Sequence, residues 1–460
     1  MIKVLVLLTL FTAGAMAEDL GSAMTSTATR LVAPNCNSPV FLQRNPACAF
    51  GTTKYLVVWS DGKQQPVANG ADIYCSRVEA ATGNILDPNG ILVCHAADIQ
   101  DYPAVAFDGT NFLVVWEDVR NRKDVDVYGA RISEAGQLLD AQAFPISAQA
   151  GVNEVRPTVA FAGGNYFVAW SDSRKDTVNG IYGIYGARVS PAGVVLDPQG
   201  IALAVESDAN IAGAIPATNR FMYSQNQWQS SISSNVYPVL VSNGKNCLLS
   251  YDCGKPRVAV FYGSNTFFGV IDPATGSFVR GPESPLWIYR YHGLGLLAAT
   301  STTNGGWAVA RCIHAPGWGA DIGYKAICLD SLLVSNASDS TTVSPTNILG
   351  SPGGTRGGLY SFKPAIGALQ TSALTAMDFA WWGTDKKMHY AILLNRISYS
   401  SSAYLETSAG IALDEHLMAS DTTVMRPALC NGPNKECLLV YEKDAGINNG
   451  FVVSKIIREK

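Results

Sequence analysis

Short apolar runs separated by polar turns recur along the whole chain. One example begins with Val105-Ala106-Phe107, the turn Asp108-Gly109-Thr110-Asn111 and a second apolar run from Phe112 to Trp116. Two further runs follow, at 127–132 and near 143–147. Runs of four to eight apolar residues bounded by Gly, Asp and Asn predict antiparallel strands joined by tight turns. The pattern therefore predicts four strands in roughly 50 residues, the length of one propeller blade.

The same order of elements is repeated along the sequence. Seven copies start near residues 46, 103, 157, 238, 298, 364 and 427, and residues 206–236 are inserted between the third and fourth copies. The repetition predicts an all-β protein, a seven-bladed β-propeller of four-stranded antiparallel blades that forms one domain over residues 18–460. A β-solenoid is the alternative, although solenoids have shorter coils and fewer tight hairpins.

The last copy is incomplete, because the chain stops after the segment that matches a third strand. Residues 28–34 precede the first complete copy and have the composition of a strand. An unpaired edge would be exposed if the last blade lacked a strand. We therefore expect residues 28–34 to pair with 451–457 and to close the ring.

The repeat resembles a known family pattern. Its best copies follow the form P-x-V-A-F-D-G-T-N-Y-L-V-V-W, with a later D-I-Y-G-A-R-V, and the resemblance is to secreted bacterial β-propeller repeat proteins. It is strongest over residues 46–205 and faint afterwards, where the fourth copy lacks the Tyr-Gly-Ala-Arg signature. The resemblance implies a propeller fold and export, and it implies no fixed activity, since this scaffold carries many functions.

The N-terminus predicts export independently. Lys3 is followed by an apolar run, Val4 to Ala13, and by the small-residue site Ala15-Met16-Ala17, which together predict a signal peptide over residues 1–17. We expect a secreted, extracellular or periplasmic protein. No later stretch is long and apolar enough to predict a membrane span.

Composition and charge narrow the possible partners. The chain is 47% hydrophobic and 15% charged, with 43 Gly and 22 Pro, as expected for a turn-rich β protein. Its net charge is -4 and it has no long basic run, so nucleic acid is not an expected partner. We expect an extracellular glycan or protein as partner. The sequence does not predict an oligomeric state.

The ten cysteines predict disulfides in an exported chain. Three pairs flank turn-like segments, which favours local bridges, and two further pairs remain. The predicted bridges are Cys75–Cys94, Cys312–Cys328, Cys430–Cys437, Cys247–Cys253 and Cys36–Cys48. Because CxxC-type clusters are missing, a metal site is not predicted.

Charged residues recur at fixed positions in the repeats. Pairs stand just after the second strand, and single basic residues stand near the end of the third strand. The pairs are Asp61/Lys63, Asp118/Arg120 and Asp172/Arg174, and the third-strand residues are Arg77, Arg131, Arg188, Arg396 and Lys455. We interpret them as structural ion pairs that lock loops and neighbouring strands, because a catalytic site does not need the same pair in every repeat.

Motifs for catalysis are largely missing. There is no zinc hydrolase, nucleophile-elbow or phosphate-loop motif, and the sequence predicts no cofactor. Glycoside cleavage needs two carboxyl groups, and Glu117, Asp118 and Asp172 are candidates if they converge on one face. The alternative is that these carboxylates are solvated or ion-paired. Asp124 and Asp126 form a weak calcium pattern, since they lack a full oxygen-rich loop.

The irregular segments are the best pointers to a ligand site. Aromatic rings bury area while amide, Arg and His groups fix the orientation of a sugar or peptide. The alternative is that these aromatic residues cover blade ends. The candidate ligand-binding residues are Tyr223, Trp228, Trp287, Tyr289, Arg290, His292, His314 and Trp318.

These features favour a secreted, non-catalytic protein that binds a glycan or protein surface through loops on one propeller face. An extracellular carbohydrate-active hydrolase or lyase is the alternative, and a structural subunit of a surface assembly is a third hypothesis. Two close carboxylates, or a cluster of Tyr, His and Arg, at the mouth of the propeller channel would favour the enzyme.

Overall fold

The computed structural model describes only β-strands and their connections. The described residues are 29–30, 41–62, 70–177, 181–205, 234–254, 265–283, 297–302, 305–313, 323–329, 341–343, 364–369, 372–382, 388–398, 411–412, 423–433, 436–444 and 449–458. No helix with the length and hydrophobicity of a membrane crossing occurs among them. The predicted signal peptide lies outside these residues and stays a prediction.

The strands follow one another with short connections wherever the chain is described. In chain order they are β1 (Thr29–Arg30), β2 (Phe41–Phe50), β3 (Lys54–Asp61), β4 (Asp72–Glu79), β5 (Ile91–Cys94), β6 (Gln100–Phe107), β7 (Asn111–Asp118), β8 (Asp126–Ser133), β9 (Phe144–Ser147), β10 (Glu154–Ala162), β11 (Asn165–Asp176), β12 (Ile181–Val189), β13 (Ile201–Ala204), β14 (Ser234–Ser242), β15 (Cys247–Gly254), β16 (Asn265–Asp272), β17 (Ser277–Glu283), β18 (Leu297–Ser301), β19 (Trp307–Ile313), β20 (Gly323–Leu329), β21 (Thr341–Val343), β22 (Pro364–Ala368), β23 (Ser372–Trp382), β24 (Met388–Ser398), β25 (Ile411–Ala412), β26 (Thr423–Asn431), β27 (Glu436–Asp444) and β28 (Asn449–Arg458).

Consecutive strands pair into antiparallel sheets. Five four-stranded sheets are formed by β6–β9, β10–β13, β14–β17, β18–β21 and β22–β25. A sixth sheet has eight strands and joins β26–β28 to β2–β5, with β1 paired to β28. The prediction of an all-β protein with four-stranded antiparallel sheets is confirmed, and no described sheet closes on itself.

The second strand of each well-matched repeat is buried on both faces. Phe112 to Trp116 in β7 are fully buried, and so are Tyr166 to Trp170 in β11. A strand covered on both faces is apolar throughout rather than alternating. The sheets formed by β6–β9 and β10–β13 are therefore covered on both faces.

Core clusters connect each sheet to the next in the chain. One cluster contains Leu56 of β3 with Val114 of β7, and another contains Val115 of β7 with Val168 of β11. The first strands also contact in succession, β2 with β6, β6 with β10, β10 with β14, β14 with β18, β18 with β22, β22 with β26 and β26 with β2. The core is thus a series of apolar layers between sheets.

The two ends of the chain meet in the eight-stranded sheet. Thr29 pairs with Ser454 and Arg30 with Val453 in antiparallel register, as expected for residues 28–34 and 451–457. In addition, Phe41 and Leu42 of β2 pair in parallel with Asn449 and Gly450. The sequence did not predict this second contact.

The strand registers overturn four of the predicted disulfides, because paired Cα atoms must lie within about 7 Å. Cys94 lies opposite Ile73 rather than opposite Cys75. Cys75 and Cys94 both have free thiols. Cys312 lies opposite Tyr324, four residues from Cys328, a separation of about 13 Å along the strand.

The remaining predicted pairs fail for related reasons. Cys247 and Cys253 lie on the same strand, β15, opposite Ile271 and Asn265 of β16. Cys430 pairs with Leu438, the residue after Cys437, so the two cysteines occupy opposite faces of their sheet. The Cys36–Cys48 bridge stays a prediction, because Cys36 lies outside the described residues.

Candidate functional site

The repeated acidic residue after the second strand holds a buried tryptophan. Trp116 Nε1 donates to Asp118 Oδ2 at 2.9 Å, and Trp170 Nε1 donates to Asp172 Oδ2 at 2.8 Å. The guanidinium groups of Arg120 and Arg174 bind the same carboxylates in a bidentate manner. These pairs fasten the strand end to its loop, as predicted. Lys63 lies outside the described residues.

The third-strand arginines connect neighbouring sheets. Arg77 pairs with Asp87 at 2.7 Å and donates from Nη1 to the carbonyl oxygen of Ala135 in the next sheet. Arg131 and Arg188 make the equivalent contacts. Their partners are the aspartates of the Leu-Asp turn rather than the aspartates after the second strand. The side chain of Arg396 lies outside the described residues.

The first strands share an unusual backbone feature at the opposite end from these arginine contacts. The residue before the repeat proline has a positive φ of 51–57° in five first strands, and the strand register shifts at this point. Residues other than Gly rarely adopt this conformation, which costs about 1–3 kcal/mol. The bulge residues are Asn45, Tyr102, Arg156, Tyr237 and Arg426.

Carboxyl groups on the second strands β7, β27 and β23 hold three of these bulges in place. The Arg156 amide donates to Glu117 Oε1 at 2.7 Å, and the Asn45 amide donates to Glu442 Oε1 at 2.6 Å. The Arg426 amide donates to Asp378 Oδ2 at 2.9 Å. A buried amide without a partner is costly, so each carboxyl oxygen stabilises the bulge whose amide it accepts from. These hydrogen bonds offset the backbone strain.

The bulge side chains form one connected group, which we call the bulge cluster. Its members are Asn45, Asp101, Tyr102, Glu117, Arg156, Tyr237, Arg426 and Glu442. They come from the sheets that contain β2, β6, β10, β14 and β26 and meet at one edge of those sheets.

Direct contacts connect the members of the bulge cluster. The Arg156 guanidinium lies 3.5 Å from the ring centroid of Tyr102 and 5.5 Å from that of Tyr237. Asn45 Nδ2 donates to Asp101 Oδ1 at 2.8 Å. Arg426 Nη1 donates to both oxygens of Glu442, at 3.1 and 3.0 Å. The cation–π stack and the ion pair orient both arginines before any ligand arrives.

The cluster combines buried carboxyls with accessible cations. The side chains of Arg156 and Arg426 are each 37% exposed, whereas those of Glu117 and Glu442 are 13% and 8% exposed. Burial raises the pKa of Glu117 to about 7, against the opposing effects of the Arg156 amide and guanidinium. Burial also raises the pKa of Glu442, and Arg426 opposes that shift. Glu117 therefore exchanges a proton near neutral pH.

Asp101 has a different environment within the same cluster. Its Oδ1 accepts hydrogen bonds from Asn45 Nδ2 and from the Tyr102 amide at 2.7 Å, and also from the Ser60 hydroxyl. The cluster thus pairs Glu117, whose pKa burial raises to about 7, with Asp101, whose Oδ1 accepts three hydrogen bonds.

Glu117, Asp118 and Asp172 do not converge on one face, and the alternative of ion-paired carboxylates holds for Asp118 and Asp172. Asp118 and Asp172 are fully buried against tryptophan and arginine, and neighbouring residues of a strand face opposite sides, so Glu117 faces away from Asp118. Asp124 and Asp126 both accept hydrogen bonds from Asn121 Nδ2. No group of three or more metal-ligating side chains occurs in the described ranges.

The candidate ligand residues from the irregular segments lie outside the described residues, so they stay predictions. They are Tyr223, Trp228, Trp287, Tyr289, Arg290, His292, His314 and Trp318. Sequence reasoning did not find the bulge cluster. Its available signal was the large polar or aromatic residue before each repeat proline.

No family model and no curated protein sequence matches this chain. Among solved structures it is similar to a protein of unknown function from Dyadobacter fermentans DSM 18053, at 11% identity and a TM-score of 0.42, with 95% of this chain and 100% of that chain covered. It is also similar to Trypanosoma rangeli sialidase, at 7% identity and a TM-score of 0.46, with 93% of this chain and 59% of that chain covered. A third is the alpha-L-arabinofuranosidase Arb93A from Fusarium graminearum, solved with an iminosugar inhibitor, at 11% identity and a TM-score of 0.40, with 95% and 98% covered. At TM-scores below 0.5 these similarities carry no functional weight, so the function of this chain is inferred from its own side chains.

Proposed function

We propose that this protein is an extracellular carbohydrate-active hydrolase or lyase whose site is the bulge cluster. The observation that supports this function is the meeting of two kinds of carboxyl group, tyrosine rings and accessible arginines at one edge of neighbouring sheets. This combination is the one that favours an enzyme over a passive glycan binder.

Each group has a role in cleavage of a glycosidic bond. Glu117 is the proton donor to the leaving oxygen, because a carboxyl with a pKa of about 7 retains a proton at neutral pH. Asp101 is the second carboxyl that glycoside cleavage requires, as base or nucleophile. Glu117 thus donates a proton, whereas Asp101 accepts one or attacks the sugar.

The arginines point to an acidic glycan as substrate. Arg156 and Arg426 each leave over a third of the side chain exposed, and guanidinium groups bind carboxylates and sulfates through paired hydrogen bonds. The Tyr102 ring supports the Arg156 guanidinium from one side. A substrate carboxylate then binds to cations that are already oriented, which lowers the entropy cost of binding.

We infer that the sheets form a ring of seven four-stranded blades, with the bulge cluster at one end of its axis. The succession of contacts between first strands, which returns from β26 to β2, supports the ring. The eight-stranded sheet divides into β2–β5 and β26–β28 with β1, which gives two blades of four strands. Because first strands are innermost in this arrangement, side chains on their bulges face the axis.

Non-catalytic glycan binding is the second candidate, and one observation favours it. Glu442 and Asp378 accept the same type of amide hydrogen bond that Glu117 accepts, so Glu117 has a structural role at its bulge. In this case Arg156 and Arg426 bind the ligand and no bond is cleaved.

A screen of acidic and neutral polysaccharides separates these functions. A hydrolase releases new reducing ends, a lyase releases products with an unsaturated ring that absorb in the ultraviolet, and a binding protein does neither while it is retained on a glycan array. We expect turnover of an acidic polysaccharide. The variant Glu154→Gln, altered at a buried carboxyl outside the cluster, is the control and retains turnover. No turnover and no retention on any glycan would reject both functions and favour a structural subunit.

A further inference from the structure

The seams between neighbouring sheets follow one packing rule at their first strands. The third residue after the repeat proline of one sheet shares a core cluster with the second residue after the proline of the next sheet. Ala106 meets Val159 in this way, and Ala160 meets Leu240. The backbones approach closely there, since the Leu240 amide donates to Thr158 Oγ1 at 3.2 Å. A small residue thus faces an aliphatic one.

The seam between β26 and β2 replaces both residues by cysteine. Cys430 is the third residue after Pro427, and Cys48 is the second residue after Pro46. Both belong to the core cluster that packs β2–β4 against β26–β28, the two halves of the eight-stranded sheet. The packing rule therefore brings two thiols face to face at the seam where the chain closes.

Contacts at this seam agree with the packing rule. Cys48 Sγ donates to the carbonyl oxygen of Leu438 at 3.9 Å, and Leu438 is paired with Cys430 across the sheet. Burial raises the pKa of the Cys430 thiol, and the neighbouring Cys48 thiol adds to this shift. Both occur as free thiols in this structure.

We propose that Cys48 and Cys430 are an oxidation site that forms an intersheet disulfide and locks the closing seam. Two S–H bonds break and one S–S bond forms, with loss of two protons and two electrons. The electrons reduce the disulfide of an oxidised dithiol oxidoreductase to two thiols by exchange through a mixed disulfide. Cys48, the more accessible thiol, attacks first and Cys430 resolves the mixed disulfide.

The proposed bridge fits an exported protein and does not depend on the carbohydrate activity. Disulfides form and persist in oxidising compartments. A bridge between β2 and β26 connects the two ends of the described chain, and crosslinks that close long loops stabilise most in the chain-entropy description. Cys75 and Cys247, which face aliphatic or aromatic residues in other seams, stay reduced.

Tryptic mapping without reduction tests the bridge on the full chain produced in an oxidising compartment. The sequence separates the relevant cysteines, since Cys48 lies in peptide 45–54, Cys430 in 397–435, Cys437 in 436–443 and Cys36 in 31–44. We expect peptide 45–54 linked to 397–435. Alkylation of both as free thiols, or a link from 45–54 to 31–44 or 436–443, would overturn the proposal.

Matched variants test the stabilising effect. Cys48→Val and Cys430→Ala introduce the residue types found at the equivalent positions of other seams, so they preserve packing. We expect reductant to lower the melting temperature of the wild type by at least about 5 °C and to leave these variants unchanged. The control Cys247→Ala retains the response to reductant. If the wild type and Cys48→Val respond equally, the seam holds no bridge. If Cys430→Ala does not fold, peptide mapping and Cys48→Val decide.

Discussion

At the residue scale, one position of the repeat holds an amide side chain in two copies and a carboxyl group in a third. Gln43, Gln100 and Glu154 all stand three residues before the repeat proline, and each pairs across the sheet with the aspartate that holds the tryptophan. Gln43 Nε2 donates to Asp61 Oδ2 at 3.0 Å. Glu154 accepts a hydrogen bond from Ser147, whereas its Oε2 has no partner in the described part of the chain. A carboxyl thus occupies a site built for an amide.

Glu154 makes the stability of the protein depend on pH. Burial raises its pKa to about 8 from the ordinary 4.5, with the Asp172 charge adding to the shift and Ser147 opposing it. The folded state therefore binds more protons than the unfolded chain between those values. The contribution of Glu154 to the free energy of unfolding is fully present below about pH 4.5 and is lost as the pH rises through about 8.

Glu154→Gln is expected to remove this dependence. The amide donates to Asp172 as Gln43 does to Asp61, so the variant is more stable than the wild type by about 1–3 kcal/mol at pH 9 and much less so at pH 5. Urea unfolding at the two pH values measures the difference. The reverse change, Gln100→Glu, is the matched control and should destabilise the protein at pH 9. Equal stabilities at pH 9 would contradict a buried, protonated Glu154.

At the scale of secondary-structure elements, the bulge in the first strand of each repeat positions the side chains of the bulge cluster. A proline without an amide hydrogen interrupts the ladder, and the residue before it adopts a left-handed conformation that turns its side chain out of the sheet register. The strain is retained at a place where side chains cluster, as is common at functional sites. Glycine at these positions would remove the strain together with the side chain.

Arg156→Gly is expected to separate stability from function. With a φ of 57° at this position, glycine relieves strain of about 1 kcal/mol or more, so the free energy of unfolding stays within about 1 kcal/mol of the wild type or rises. Binding of the acidic glycan falls at least about tenfold, because a guanidinium that pairs with the ligand is lost. Urea unfolding and calorimetric titration measure the two effects. Asn45→Gly is the control for the backbone. A loss of more than about 3 kcal/mol in stability would show that the Arg156 side chain is structural.

Local sequence patterns predicted the strands and turns more accurately than they predicted the contacts between strands. The hairpins around Asp108-Gly109 and the strand Phe112 to Trp116 follow from turn residues and apolar runs, which act over a few residues. The ion pairs of Asp118 and Asp172 were visible because they repeat. The bulges were missed because a residue before proline ordinarily avoids positive φ. Four of the five predicted cysteine pairs were wrong, because sequence spacing does not specify strand register or the face of a sheet.

At the scale of the whole molecule, the distinctive feature is the eight-stranded sheet that joins β1 and β2 to β28. Strands from both ends of the chain share one sheet, through β1 with β28 and through β2 with β28. Without β1 the outer edge of β28 loses its partner over residues 453–454. The seam therefore couples the stability of the entire protein to a short N-terminal strand.

Deletion of residues 18–35 is expected to lower the melting temperature by several degrees, since it exposes an unpaired strand edge. Differential scanning calorimetry of the purified protein measures the change. Replacement of residues 18–28 alone by a Gly/Ser segment retains β1 and serves as the control. An unchanged melting curve after deletion would show that β1 contributes nothing to closure.

The site hypothesis predicts that Glu117 supplies the proton for glycan cleavage. The most direct test is the rate of cleavage of the responsive polysaccharide by wild-type protein and by Glu117→Gln, across pH 5–9. We expect the wild-type rate to fall as the pH rises through about 7, as Glu117 loses its proton, and Glu117→Gln to lose about 10²–10⁴-fold in kcat with the folded state intact. A Glu117→Gln variant that cleaves the glycan at the wild-type rate would contradict the account.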